Sequence, residues 1–166
     1  MKYLKRLLNK RLRQIHNRVA ILLSVTALLG FADASYLTIE HYRGVIPPCS
    51  VVSGCETVLT SSYSTILGVP VALGGAIYYF LILISVFIYF ESKNNTPLKW
   101  SLLLTIPGMI MSLWFVYIQV FILQSYCIYC LGSFLTTTIL FVTAMDLFEE
   151  RPEAIESSNK IINPKI

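Results

Sequence analysis

The sequence predicts an all-α integral membrane protein: a bundle of four transmembrane helices whose outer loop carries a short amphipathic helix. Three observations predict it. Only 13% of the 166 residues are charged and 55% are hydrophobic, whereas soluble domains run nearer a quarter charged. Four apolar runs fall at 19–39, 69–90, 100–123 and 127–147, each of about the 20 residues needed to cross a bilayer core. Positive charge is also distributed unevenly between the segments that join these runs. Seven of the thirteen Lys and Arg precede Val19, and Lys93 and Lys99 flank the short 91–99 turn, whereas the 41–68 loop holds only Arg43. Cytoplasmic segments carry the excess of Lys and Arg. Both chain ends are therefore expected in the cytoplasm, with the 41–68 loop and the 124–126 turn outside. The net charge of +4 comes with that membrane-orienting block, so it is no signal for nucleic acid.

Taken in order, residues 1–18 form a basic cytoplasmic segment, with Tyr3, Leu4, Leu7, Leu8, Leu12 and Ile15 suited to a membrane-surface helix. The first span contains one charge, Asp33. Ala32-Asp33-Ala34 resembles a signal-peptidase site, but the basic segment before it is long for a signal and apolar residues continue through Tyr36, Leu37 and Ile39. In the loop, Pro47 and Pro48 stiffen the approach to Cys49. Gly54 permits a bend before Cys55. Val58, Leu59, Tyr63, Ile66 and Leu67 fit a short amphipathic helix over Glu56–Leu67. Gly74-Gly75 opens the second span, Pro107 is expected to kink the third, and residues 148–166 read as an acidic, partly disordered cytoplasmic tail.

The four cysteines carry the chemistry. Cys49 and Cys55 lie in the outer loop, and Cys127 and Cys130 open the last span. An even count on one face suits disulfides in an oxidising compartment. At a helix start, unpaired N–H groups favour the thiolate, the form that exchanges disulfides. Two such pairs can pass electrons by mixed disulfides. The pair near the hydrocarbon suits a lipid-soluble acceptor, and a quinone takes up the two electrons and two protons that one dithiol releases. Structural disulfides, a zinc site of four thiolates and a soft-metal transporter are the competing readings. Haem attachment would need His at position 131, where Leu131 stands.

Cys49-x5-Cys55, Ser61 six residues on, Leu67-Gly68-Val69-Pro70 entering a span and Cys127-x-x-Cys130 opening the last one resemble the vitamin K epoxide reductase family. The likeness runs from about Val19 to Leu147. It implies a four-helix bundle around a quinone, either menaquinone or ubiquinone, in the cell (inner) membrane. It also implies that electrons arrive from a secreted or periplasmic thioredoxin-fold thiol oxidoreductase. Because no thioredoxin-like domain follows the bundle in this sequence, that partner is expected to be a separate protein. By position, Cys49 and Cys55 are the shuttle pair, Cys127 exchanges with a loop cysteine, and Cys130 faces the quinone with Ser61 beside its ring. Phe134 stands at the ring-facing position where vertebrate-type members carry tyrosine, and no asparagine occurs between Gly68 and Tyr79. Both differences argue against an epoxide substrate and leave quinone reduction open. The expected function is a membrane thiol:quinone oxidoreductase supporting disulfide formation, with a vitamin K quinone or epoxide reductase as the alternative. Asp33, an intramembrane carboxylate, is a candidate for proton transfer to the quinone, or for holding Arg43 or Tyr42 in place.

Overall fold

A computed structural model describes residues 2–49, 54–92 and 96–162. Its elements are α1 (Lys2–Arg43), α2 (Cys55–Leu59), a hairpin of β1 (Thr65–Ile66) and β2 (Val69–Pro70), α3 (Val71–Ser92), α4 (Thr96–Tyr117) and α5 (Ile128–Ile162). One π-helical turn, Ile118–Ile122, extends α4. Four helical stretches are long and apolar enough to cross a membrane: His16–Arg43, Val71–Ser92, Thr96–Ile122 and Ile128–Met145. The protein is thus the expected all-α, multi-pass membrane bundle.

α1 packs on α3 and α5, and α4 packs on the same two helices. The helices therefore run α1–α3–α4–α5 around a ring. Small residues on α1 allow the close approach. Ala20, Ala27 and Ala34 are all but buried, and a Cβ at Gly30 would collide with the Tyr79 ring of α3. Small residues at helix contacts favour association in lipid, where apolar burial alone gives no driving force. Leu23, Ile82, Val86, Tyr89, Leu98 and Leu140 complete a packed core at the end of the bundle where α3 and α4 are joined. Outward, Leu28, Leu29, Phe87, Ile110 and Phe121 are each more than half exposed, as lipid-facing side chains of a membrane helix must be.

Tyr79 marks the top of that core. It is 1% exposed. Its hydroxyl donates to the Ser133 carbonyl at 3.0 Å and lies within 3.0 Å of the hydroxyls of Ser133, Thr136 and Thr137. A buried phenol in a bilayer needs such partners, and here they tie α3 to the first turns of α5.

Several boundaries differ from the sequence expectation. The first helix runs unbroken through 19–39 to Arg43, so Asp33 lies ten residues from its end, about 15 Å at 1.5 Å per residue. The loop helix ends at Leu59 rather than Leu67. Hydroxyls explain the stop: Thr60 donates to the Glu56 carbonyl, Ser61 to Val58 and Ser64 to Ser61. Such local bonds compete with helix continuation. Leu67-Gly68-Val69-Pro70 does not enter the span as helix but forms a hairpin, with Ile66 paired to Val69. Leu67 and Gly68 both have positive φ, 53° and 80°, the signature of a tight two-residue hairpin turn. The second span then begins at Val71 and the fourth at Ile128. α5 continues to Ile162 where a partly disordered tail was expected. Glu is a good helix former, and the helix carries on past Pro152 in this Glu-rich continuation.

Candidate active site

The end of the bundle opposite the packed core holds a cavity of about 1100 Å³, slightly above the usual range of roughly 300–1,000 Å³ for small-molecule sites. Its walls are mostly apolar. α1 contributes Asp33, Ala34 and Leu37, α3 the Val71–Tyr79 segment, and α4 residues from Leu104 to Val116. Cys130, Ser133 and Thr137 line it from α5, Gln119 from the π-helical turn, and Val58–Ile66 cover it from the loop.

All four cysteines meet at the edge of this cavity. Cys55, Val58 and Cys127 form one buried cluster, with Cys49, Leu59, Leu123, Tyr129 and Cys130 packed against it. Cys49 and Cys55 are joined as a disulfide, and Cys127 and Cys130 are free thiols. Despite its place in the outer loop, the Cys49–Cys55 pair is not fully exposed. Cys55 is 1% exposed and Cys49 half-buried. The cover is fixed at two points. Tyr129 donates its hydroxyl to the Pro48 carbonyl at 3.2 Å, beside Cys49. Gly54 lies flat on the 125–127 turn, where a Cβ would stand 2.7 Å from both the backbone N and O of Tyr126. Its φ of −149° is open to any residue. Glycine is therefore needed at 54 for close approach and not for the bend that the sequence suggested.

Cys127 precedes α5 and caps it. Its carbonyl accepts the Leu131 N–H at 3.0 Å. The Cys130 thiol donates to the Cys127 sulfur, and the backbone N–H groups of Cys130 and Tyr129 also bond it. These donors outweigh burial and pull the Cys127 pKa from the ordinary 9.0 down to about 7. The favoured anion at a helix N-terminus, expected from the Cys-x-x-Cys position, has this origin. It acts at Cys127, which shares one buried cluster with Cys55 and Val58.

The turn before Cys127 is closed from α4. The Leu123 N–H reaches the Ile118 carbonyl at 2.9 Å, and the Ser125 N–H reaches the Gln119 carbonyl at 3.1 Å. Gln124 between them has φ 47°. The Gln119 side chain then accepts the Cys127 N–H on Oε1 at 3.0 Å. Gln119 is 2% exposed. Neither Gln119 nor Tyr129 stood out in the sequence. The one available signal was a glutamine eight residues before Cys127 in an otherwise apolar span.

The remaining predicted residues are distributed as follows. Ser61 lines the cavity, but its hydroxyl donates to the Val58 carbonyl at 2.7 Å. Phe134 is half-buried one turn below Cys130 and is not among the lining residues. Asp33 lines the cavity, and its Oδ2 is buried without a hydrogen-bond partner among the described residues. Arg43 pairs with Glu40 at 3.2 Å rather than with Asp33.

A family-level comparison matches residues 21–145 to the Vitamin K epoxide reductase family. This chain belongs to that family. The matched stretch takes in every element that lines the cavity and all four cysteines. No curated protein matches the chain. Members of the family are oxidoreductases that in general use quinones as electron partners, and this chain is a multi-pass membrane oxidoreductase.

Two measurements test the geometry. The alkylation rate of Cys127 should rise through a midpoint near pH 7, because the thiolate reacts. Cys130→Ala should move that midpoint toward 9, since the main donor is lost; an unmoved midpoint would refute the assignment. Gly54→Ala should lift the loop off the turn. In a Cys49→Ala, Cys130→Ala background it should slow Cys55–Cys127 disulfide formation by about 10- to 100-fold, the order expected for a misplacement of about 1 Å.

Proposed function

We propose that this chain reoxidises a secreted or periplasmic thioredoxin-fold protein and passes the electrons to a quinone bound in the cavity. One observation carries the reading: the four cysteines form a single cluster whose inner member, Cys130, is part of the cavity wall. The steps balance as follows. The partner's dithiol attacks the Cys49–Cys55 disulfide, leaving a partner disulfide and a loop dithiol. Cys55, in the same buried cluster as Cys127, attacks the Cys127 sulfur of a Cys127–Cys130 disulfide, and Cys49 resolves the mixed disulfide. The Cys127–Cys130 dithiol then gives two electrons and two protons to the quinone, forming hydroquinone and restoring its own disulfide.

The residues present fit such an acceptor. The cavity is apolar enough for a ring with a lipid tail, whether menaquinone or ubiquinone, and Cys130 meets it. Ser61, whose proton is committed to Val58, offers lone pairs to a hydroquinone O–H. Asp33 is the carboxylate that moves a proton between the thiols and the ring, an assignment supported by its unpartnered Oδ2 beside the cavity. In this reading the cysteine pairs lie on the outer face of the cell membrane and both chain ends lie in the cytoplasm. That orientation rests on the charge bias of the connecting segments.

The test is quinone reduction by the purified protein with dithiothreitol or a reduced thioredoxin-fold protein as donor. Menadione and decylubiquinone serve as acceptors. Turnover should fall to background in Cys130→Ala; equal rates in variant and wild type would sink the relay. Asp33→Asn should lower turnover about 100-fold or more, the scale of lost proton transfer, and an unchanged rate and pH profile would remove Asp33 from the mechanism.

A further inference from the structure

Gln119 joins the cavity to the redox turn, and its chemistry is only half used within the protein. A carboxamide has one acceptor oxygen and two N–H donors. The group facing it on the redox turn is the Cys127 N–H, which can only donate. The oxygen must therefore point there, at 3.0 Å, and this fixes the orientation of the amide. The Nε2 makes no hydrogen bond among the described residues, yet the side chain lines the cavity that Cys130 lines. Among the described residues only Asp33 Oδ2 and Tyr78 Oη are buried side-chain polar atoms without a partner, so the Gln119 Nε2 keeps its accessible surface on the cavity that the side chain lines, open to an acceptor there.

We propose that Gln119 donates its Nε2–H to a carbonyl oxygen of the quinone while its Oε1 holds Cys127. This inference rests on the quinone reading above. It supplies the donor that the sequence lacked, with Phe134 at the tyrosine position, no asparagine between Gly68 and Tyr79, and the Ser61 proton engaged by Val58. As the Cys127–Cys130 dithiol loses two electrons and two protons, negative charge builds on the ring oxygen before its proton arrives. A preorganised N–H at that oxygen stabilises the charge most in the transition state. The same side chain fixes the sulfur pair and the ring oxygen relative to each other. The widened turn at Ile118–Ile122 is the local feature that brings Gln119 to both.

Glu at this position separates the two roles. A carboxylate still accepts the Cys127 N–H but cannot donate; the neutral acid does both. Rates of menadione and decylubiquinone reduction are measured for wild type, Q119E and Q119L across pH 5–9. Each variant is expressed as a ratio to wild type at the same pH, which cancels the titration that both share at Asp33, Glu40, His41 and Cys130 around the cavity; the Cys127 alkylation midpoint is read in each variant as well, because a carboxylate at 119 faces that residue. The expected result is a Q119E ratio near one at low pH that falls about tenfold or more as pH rises, with Q119L low throughout. Menadione binding, read by quenching of tryptophan fluorescence, should weaken in Q119L and in Q119E at high pH. A flat Q119E ratio, or wild-type kinetics and binding in Q119L, overturns the role of Gln119 while wild-type turnover leaves the quinone reading standing. No turnover in wild type itself overturns both.

Discussion

A helix that stops at the edge of a bilayer leaves its last carbonyls, and the next helix's first N–H groups, without water to bond. Between α4 and α5 the chain meets this constraint within five residues. The π-helical turn, the left-handed Gln124 and the bond from Ser125 to the Gln119 carbonyl close α4 one residue wider than an ordinary cap. The Gln119 side chain takes the Cys127 N–H, and the Cys127 sulfur takes the first N–H groups of α5. A turn built to satisfy backbone groups thereby holds a sulfur at a helix N-terminus, where the anion is favoured.

The loop reaches this turn because nothing stands between them. Gly54 removes the Cβ that would hold the loop off Tyr126, and Tyr129 fastens the Cys49 side through Pro48. The Ser/Thr-rich stretch after Leu59 ends α2 early, and the chain folds back through the hairpin over the cavity. The cover is thus held by backbone approach and hydroxyl bonds more than by a large apolar core. Only Cys55, Val58 and Cys127 are buried in its cluster.

The spans and the grouping of the cysteines were legible because they depend on period, length and spacing, which a single sequence carries. Helix ends were less so. Val69 and Pro70 read as the start of a span, but the positive φ pair just before them belongs to a turn whose type depends on both flanking strands. Gly54 reads in the sequence as a bend residue, because a bend is a local property, whereas close approach depends on Tyr126, seventy-two residues away in the chain. Gln119 and Tyr79 went unread because an isolated polar residue in an apolar span has no partner until the helices are packed. The composition of the acidic tail does not distinguish a helix from a disordered segment.

The floor formed by Tyr79 has a consequence for energetics at the level of the membrane. Beneath its hydroxyl hub the bundle is filled by Ala20, Leu23, Ala27, Ile82, Val86 and Leu140, almost without accessible surface. The cavity, Asp33 and the cysteines all lie on one side of that layer. A chain that carried electrons from thiols to a ring above this floor would move neither electrons nor protons through the lower half of the bilayer. The reaction would be electrically silent, indifferent to the transmembrane voltage, and would store energy only in the reduced quinone released to the lipid.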